Sequence, residues 1–533
     1  MRNFLVNNMF FRIAVILFCI LLLMFFCIVR VVDISVISSL ETDTNANCYT
    51  VQINDSRGDI YYSGGEKITG ADTVYYVVFL PCDEAIAKFS QLTYGAEKEK
   101  GLVNLKAKKP AVIKSVNKIS GKGIYSYKSS ERYLNDLGLE HIIGYIDDEY
   151  EGVTGIEKSY NNLLKSSDST EILFETTASG EFVFGVEPQV KSKKSKNNVY
   201  LTIDKDIQSI CNNAAKEIKK GAVLVIENST GKIRGMVSKP GFDVFNLKSA
   251  VESKDSPFIN RALNAYSVGS VFKPLVAATM LETSKQSYVY NCMGYSDILG
   301  IRFYCNNHTG HGKMDLNTAI INSCNTYFYN AGALVNPNAF SEISSILNFG
   351  RRIKLAEGIY SASGSITTLN ELKKSKANIA NFSIGQGNIA LSPLVLSNLY
   401  SAIANKGFYF SPKLVEGYTE DGKYYKIEKN PKTMVFSDTT ADILKTYLIN
   451  TVNYGTGKNA KPDNSVAGGK TATAQTGRYM GNEEILNAWF CGFFPEETPK
   501  YVIVILSEES ISGGLDSAPV FKKIAEEITL LSK

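Results

Sequence analysis

An uninterrupted apolar run near the N-terminus limits the topology of this chain more than any other feature. The residues from Ile13 to Val29 carry no charge, Arg12 and Arg30 flank them, and two further valines follow Arg30. A helix of this length is at the short end of what spans a bilayer. A cleaved signal peptide has a shorter apolar run followed by small residues, which this sequence lacks. We therefore expect residues 13–32 to form a transmembrane helix.

Charged residues indicate the direction of this span and exclude one class of partner. Arg2 and Arg12 precede it, and short cytoplasmic segments carry an excess of Lys and Arg. We expect a cytoplasmic tail at residues 1–12 and, in the cell membrane, a single-pass protein whose remaining chain is extracytoplasmic. The 57 basic and 53 acidic residues nearly balance, so the composition gives no general signal for binding a polyanion. No nucleic-acid partner is expected.

The 533 residues exceed the size of one ordinary domain, and their patterns change near residue 198. Residues 33–198 show short strands and loops, whereas residues 199–533 begin with a helix and a strand hairpin. Helical patterns then dominate from about 259 to 455, and strand patterns return before a closing helix at 518–531. Strands at both ends with helices between them predict an antiparallel sheet packed by helices. The expected fold class is α+β, with a mostly β N-terminal module.

A serine and a lysine one helical turn apart form the first candidate for chemistry. Gly269 permits a sharp turn, and Pro274 is tolerated only near the start of a helix. Ser270 is therefore expected at a helix N-terminus, with Lys273 on the same face. A serine becomes a good nucleophile when a neighbouring base takes its proton, and a buried lysine can be that base. The tetrapeptide alone is common by chance, and an ordinary capped helix is the alternative.

Two later segments favour the catalytic interpretation over an ordinary capped helix. The first is Ser323-Cys324-Asn325, and the second is Lys470-Thr471-Ala472-Thr473, which follows two glycines on a predicted strand. S-x-x-K, S-D-N and K-T-G in this order are the signature of penicillin-binding proteins and related β-lactamases. Further segments agree with one family along most of the chain from about residue 50: Arg57-Gly58-Asp59-Ile60, Gly155-Ile156-Glu157-Lys158, Asn260-Arg261-Ala262, Gly385-Gln386-Gly387 and Ala488-Trp489-Phe490. The chain resembles the class B penicillin-binding proteins, of the elongation or sporulation type.

The resemblance implies a fold and a reaction. It implies an N-terminal pedestal or dimerisation-type module at 33–198 and a transpeptidase domain at 199–533. Ser270 would attack the carbonyl between the terminal D-alanines of a peptidoglycan stem peptide, and Lys273 would accept its proton. The resemblance also implies β-lactams as covalent inhibitors. The remaining roles it implies are proton relay by Ser323, hydrogen bonding by Asn325, a second cation at Lys470, and carboxylate binding by Thr471 and Thr473.

Position 472 departs from the family pattern, which usually has glycine there. Glycine lets a substrate lie close along the strand, so the methyl group of Ala472 is expected to narrow the cleft or tilt the ligand. Because the other motif residues are retained, we interpret the site as tuned and not as inactive. A catalytically weak scaffold of the wall-synthesis complex is one alternative, and a β-lactam sensor or β-lactamase-like protein is another.

A second group of residues predicts a metal site. Cys292, Cys305, His311 and Cys324 are spaced C-x12-C-x5-H-x12-C. Three thiolates and one imidazole suit tetrahedral zinc. His308 is a competing ligand, and three buried thiols without a metal are the alternative. Some elongation-type members of the family carry a metal at positions that look like these. Such a zinc would be structural, holding the second catalytic motif in place.

Two further expectations concern partners and thiols. We find no glycosyltransferase domain in the sequence, and the resemblance implies a multi-spanning glycan polymerase as a partner. Cys48 and Cys82 belong to the N-terminal module and could form a disulfide, which the sequence does not decide.

Overall fold

The computed structural model describes residues 2–32, 47–53, 57–165, 170–192, 195–428, 430–495 and 497–531, with side chains from residue 14 onward. Its first element is a helix, Arg2–Val32. The 19 residues Ala14–Val32 are apolar and long enough to cross a membrane by length and composition, and none is buried. The helix expected at residues 13–32 is thus present.

The chain forms two compact units, and each draws on several segments. The first comprises residues within 1–55, 74–128 and 169–193, and the second those within 56–73, 129–168 and 194–533. Segments 56–73 and 129–168 therefore pack with the C-terminal part of the chain. The boundary at residue 198 remains a prediction, because compactness does not define where a family module begins.

Besides the N-terminal helix, the described residues of the first unit form two three-stranded sheets and two helices. One sheet has the order Cys48–Ile53, Thr170–Glu175, Gln189–Ser192. The other has the order Ala111–Ser115, Asp72–Phe79, Ile124–Glu131. Helices Asp83–Leu92 and Gly95–Lys106 share an apolar core with the second sheet, through Phe89 and Leu105. No disulfide joins Cys48 to Cys82 in the structure.

A five-stranded antiparallel sheet is the centre of the second unit. Its order is Ile233–Lys239, Gly221–Glu227, Tyr501–Glu508, Glu483–Phe494, Gly468–Met480. Alternate side chains leave the sheet on opposite faces. Val223 and Ile503 pack on one face with helices Lys205–Ala214 and Ala518–Leu531. The α+β fold with an antiparallel sheet assembled from distant segments is confirmed.

Helices Pro393–Ala404 and Asp438–Tyr454 pack against this sheet on the side of a second apolar core. Further helices contribute residues to the same core: Lys273–Glu282, Leu316–Ile321, Asn325–Gly332, Pro337–Ile346, Leu369–Lys374 and Lys376–Ser383. The stretch 259–455 is less uniformly helical than expected, since short antiparallel strand pairs interrupt it. Four of these are Tyr266–Ser267 with Ala390–Leu391, Tyr290–Cys292 with Gly312–Met314, Tyr295–Ile298 with Ile301–Tyr304, and Phe408–Phe410 with Lys432–Met434.

The remaining secondary structure of the second unit includes one mixed sheet and several short elements. The sheet has the order Ile60–Tyr61, Asn198–Leu201, Val415–Glu420, Lys423–Lys426. A two-stranded pair joins Lys354–Ala356 to Ile359–Tyr360. Short helices lie at Glu140–Ile143, Gly155–Ser159, Asn161–Leu164 and Leu247–Glu252.

A buried carboxylate joins two of the segments that carry the family resemblance. Glu157 is fully buried and accepts hydrogen bonds from Arg57 Nε at 2.8 Å and Arg132 Nε at 2.6 Å. Tyr133 donates its hydroxyl to the same carboxylate at 3.1 Å. Burial alone would raise the pKa of Glu157, but the two guanidinium groups hold it below its usual value. A buried charge is tolerated only when it is paired in this way.

Candidate active site

The chain around Ser270 is a tight turn that leads into a helix. A short 3-10 turn, Gly269–Phe272, precedes the helix that begins at Lys273. Gly269 has φ +61°, and a Cβ there would lie 3.2 Å from the Cβ of Ala474. Its N–H donates to the carbonyl of Gly385 at 3.0 Å. The left-handed conformation and the close approach both favour glycine. The turn and the helix start are as predicted.

Two buried side chains hold the backbone on either side of Ser270. Trp489 Nε1 donates to the carbonyl of Ser267 at 2.9 Å, and the hydroxyl of Tyr400 donates to the carbonyl of Val271 at 2.9 Å. Tyr400 was not identified from the sequence. The feature that could have indicated it is a tyrosine within an almost wholly apolar helix, where a buried hydroxyl needs a hydrogen-bond partner.

Lys273 is completely buried and brings the second motif to the first. Its ammonium donates to the Ser323 carbonyl at 2.7 Å, to Ser323 Oγ at 3.1 Å and to Asn325 Oδ1 at 2.7 Å. Burial lowers the pKa of Lys273 to about 7. A lysine in this state is close to balanced between a proton donor and a proton acceptor at neutral pH.

Ser323 has a backbone conformation that non-glycine residues seldom adopt. It lies between helices Leu316–Ile321 and Asn325–Gly332, with φ +56°. In this conformation its carbonyl and its hydroxyl both accept from Lys273. Backbone strain of this kind persists where the surroundings hold it, and it is frequent at functional sites.

Lys470 is a second fully buried lysine and lies on the edge strand Gly468–Met480. Its Nζ donates to Thr456 Oγ1 at 3.3 Å and to the carbonyl of Thr471 at 3.1 Å. Burial and, secondarily, the charge of Lys273 lower the pKa of Lys470 well below its ordinary value. Thr456 was not identified from the sequence. The sequence feature that could have indicated Thr456 is the pair of glycines that flank it in a loop between a helix and a strand.

The side chains of the third motif alternate across the edge strand, as strand geometry requires. Thr473 is exposed, and its Oγ1 accepts from the N–H of Gly513 at 3.4 Å. Ala472 is only 3% exposed and belongs to the apolar core with Ala474 and Trp489. The structure therefore corrects the expectation that the Ala472 methyl narrows the cleft, because that methyl faces the core. If a substrate contacts Ala472, the contact is made by backbone atoms.

The predicted metal ligands lie together. Cys292, Cys305, His311 and Cys324 present their ligand atoms within 4.8 Å of one another. His311 Nδ1 is 3.5 Å from the sulfurs of Cys292 and Cys305, and the sulfurs of Cys305 and Cys324 are 3.9 Å apart. His308 is exposed and lies outside this group. The structure therefore selects His311 from the two candidate histidines.

These distances and the state of the thiols fit a tetrahedral metal ion. Bonds of about 2.3 Å to sulfur and about 2.1 Å to nitrogen separate tetrahedral ligand atoms by about 3.6–3.8 Å. The hydrogen bond between the two thiols lowers the pKa of Cys305 and raises that of Cys324. Backbone N–H groups of Thr326 and Asn307 also lower the pKa of Cys305. A thiolate is the form that binds a metal, so this cluster can hold one.

The fold and this constellation define a serine-type transpeptidase domain, and comparison with known proteins agrees. The family model for the penicillin binding protein transpeptidase domain matches residues 221–526, which is more than half of the chain. The chain belongs to this family, as the motifs predicted.

Two curated relatives extend the similarity beyond this domain. Stage V sporulation protein D of Bacillus subtilis is 27% identical over 441 residues, which are 78% of this chain and 66% of the relative. Peptidoglycan D,D-transpeptidase MrdA of Acinetobacter baumannii is 26% identical over 425 residues, which are 70% of this chain and 62% of the relative. The matched regions thus span less than two thirds of each relative.

Two solved structures share the fold. The D,D-transpeptidase domain of a peptidoglycan glycosyltransferase from Eggerthella lenta superposes with a TM-score of 0.66 at 21% identity, covering 90% of this chain and 99% of that one. A penicillin-binding protein (PBP2) from Helicobacter pylori, solved in complex with MreC, superposes with a TM-score of 0.65 at 21% identity, covering 91% and 99%. At this identity the likeness establishes the fold alone.

The position of the Ala472 methyl generates a test. Ala472→Gly should lower the free energy of unfolding by about 1–2 kcal/mol, because it removes a buried methyl and loosens a strand. Its rate of reaction with a penicillin should stay within about twofold of wild type, since no side-chain atom leaves the cleft. Thermal unfolding and stopped-flow acylation measure the two effects. Ala488→Gly, a buried alanine on the adjacent strand, is the matched control. A much faster reaction with unchanged stability would contradict this placement.

Proposed function

We propose that this chain is a membrane-anchored D,D-transpeptidase that cross-links peptidoglycan stem peptides through an acyl-enzyme at Ser270. β-Lactams inhibit it by acylating the same residue. The observation that carries the proposal is the arrangement around Lys273. This buried lysine directly follows the turn that contains Ser270, and its three acceptors all come from the second motif. Its charge also lowers the pKa of Lys470 in the third motif.

The first half-reaction forms the acyl-enzyme. Ser270 Oγ attacks the carbonyl carbon between the two terminal D-alanines while neutral Lys273 takes the hydroxyl proton. The backbone N–H groups of Ser270 and Thr473 stabilise the oxyanion. The C–N bond then breaks, and the departing D-alanine amine receives a proton from Lys273 through the hydroxyl of Ser323. The 3.1 Å contact between Lys273 Nζ and Ser323 Oγ supports this relay.

The second half-reaction forms the cross-link. The amine of a second stem peptide attacks the acyl carbon, gives up a proton to the same relay, and releases Ser270. Asn325 hydrogen-bonds the substrate amide as well as Lys273. Before acylation, while the terminal D-alanine is still attached, its carboxylate pairs with the third motif, through Lys470, Thr471 and Thr473. The exposure of Thr473 at the outer strand supports this role.

A structural zinc completes the site. Cys292, Cys305, His311 and Cys324 would hold it, and four protein ligands leave no position for an activated water. When bound, the ion supplies a cross-link between chain segments and no reaction chemistry. Because Cys324 lies between Ser323 and Asn325, its ligation fixes the backbone that both residues share.

The architecture of the whole protein follows the same proposal. Residues 1–12 form a cytoplasmic tail, 13–32 the membrane anchor, 33–198 a pedestal or dimerisation-type module and 199–533 the extracytoplasmic catalytic domain. A multi-spanning glycan polymerase supplies the strands that this chain cross-links. A solved relative is a complex of PBP2 with MreC, and we propose that this chain likewise works within a complex. The name of the Bacillus subtilis relative favours a sporulation-type role, and the elongation type is the alternative that the sequence motifs imply.

The acyl-enzyme is tested by mass. After treatment with a β-lactam, the intact protein should gain the mass of one inhibitor, because the proposed mechanism acylates one serine, Ser270, at the turn that leads into the helix of Lys273. Ser270→Ala should gain none, while Ser401→Ala, a buried serine of helix Pro393–Ala404, should be labelled like wild type. An adduct that survives in Ser270→Ala would refute the assignment. Rapid loss of the wild-type adduct would favour a β-lactamase-like protein instead.

The pKa of Lys273 predicts the pH dependence of acylation. The base must be neutral, so the rate should rise about tenfold per unit below its pKa, which is about 7, and level off above it. Lys273→Arg should abolish acylation at every pH, because a guanidinium stays protonated. Second-order rate constants with one penicillin across this range measure the profile. A rate that is flat from about pH 5.5 to 8.5 would contradict Lys273 as the base.

The zinc is tested by elemental analysis of the purified ectodomain. Wild type should carry one zinc per chain, and Cys305→Ser and His311→Ala should lose it. His308→Ala is the matched control and should keep it, because His308 lies outside the cluster. The two ligand variants should melt at lower temperature, since metal binding adds to folding free energy. Wild type without stoichiometric metal, or ligand variants that retain it, would exclude the site.

A further inference from the structure

The loop at residues 455–457 connects helix Asp438–Tyr454 to the chain before the edge strand, and its path is tightly fixed. The N–H groups of Gly455 and Gly457 both donate to the carbonyl of Thr451, at 3.0 and 3.1 Å. The N–H of Thr456 donates to the carbonyl of Ile321 at 3.2 Å. A Cβ at Gly455 would lie 2.3 Å from that carbonyl oxygen, so a larger residue would displace the loop. Thr456 is thus held beside the second motif.

The hydroxyl of Thr456 meets two residues of the third motif. Its Oγ1 is 3.3 Å from Lys470 Nζ and 3.0 Å from Thr471 Oγ1. A threonine hydroxyl has two acceptor positions and one donor. It can therefore accept from the ammonium and from the Thr471 hydroxyl together and still donate its own proton. Thr456 itself is exposed, whereas Lys470 and Thr471 are buried.

Loss of the Thr456 hydrogen bond would affect Lys470 more than loss of any single acceptor would affect Lys273. Lys273 has three acceptors. Within the described residues the acceptors of Lys470 are Thr456 Oγ1 and the carbonyl of Thr471, and the second belongs to the neighbouring residue of the same strand. A buried ammonium that loses a hydrogen bond pays a large desolvation cost. The Thr456 oxygen is therefore the contact that ties Lys470 to another part of the fold.

We propose that Thr456 is a positioning residue for recognition of the substrate's terminal carboxylate. Its hydroxyl holds the Lys470 ammonium and the Thr471 hydroxyl at a fixed spacing, so that both can meet one carboxylate. This inference rests on the proposed function and names a residue outside the three motifs. It predicts that Thr456 matters for substrates that carry the carboxylate and matters little for those that lack it.

The test compares two thioester substrates that differ in one group. Both carry an acylated D-alanine thioester; one ends in a carboxylate and the other in the corresponding carboxamide. Thr456→Val keeps the shape and removes the hydroxyl, and it should lower kcat/KM for the carboxylate substrate by about tenfold while changing the carboxamide substrate less than about twofold. Thr456→Ser restores the hydroxyl and should recover most of the loss.

A matched variant separates positioning from packing. Thr451→Val makes the same change on the preceding helix, where the Tyr447 carbonyl at 2.9 Å is the partner of the hydroxyl among the described residues. It should leave the carboxylate-to-carboxamide ratio unchanged. Equal losses on both substrates in Thr456→Val, or no rescue by serine, would overturn the proposal while the function stands. A wild-type protein that is not acylated and turns over neither thioester would refute the proposed function, and the role of Thr456 with it.

Discussion

The structure of the site depends on the burial of the Lys273 side chain. A lysine side chain with no solvent exposure must either lose its proton or be surrounded by hydrogen-bond acceptors. Here three acceptors come from one short segment, Ser323 to Asn325. If that segment moved, the lysine would lose all of them at once, and an uncompensated buried charge costs several kcal/mol. The position of the second motif relative to the first therefore depends on these hydrogen bonds.

A strained residue and a cluster that can hold a metal lie at the segment that supplies these acceptors. Ser323 keeps a left-handed backbone between two helices. Cys324 follows it directly and is drawn toward Cys292 and Cys305, which lie on separate short segments of the chain. Ligation of one ion by these segments would prevent the backbone at Ser323 from relaxing. A metal bound there would fix the acceptors of Lys273 without taking part in the chemistry itself.

The sequence predicted those parts of the molecule that have local signals. The apolar span, the turn before Ser270, the strands of the central sheet and the cysteine spacing all follow from residue type and order. Tyr400 and Thr456 were missed because their contacts join segments far apart in the chain. The orientation of Ala472 was misjudged for a related reason: the face of a strand that meets the core depends on packing against other elements. The choice of His311 over His308 likewise required the folded loop.

The outer strand of the central sheet combines two requirements that oppose each other. A substrate that adds to a sheet needs an open edge, and Gly468–Met480 is the last strand in the order. An open edge also invites pairing with other chains. Beyond Gln475 the register is irregular until Tyr479, and a charged residue, Arg478, occupies this interval. Regular pairing of this strand therefore ends shortly after Thr473, and the irregular interval interrupts the long flat edge that would favour pairing with another chain.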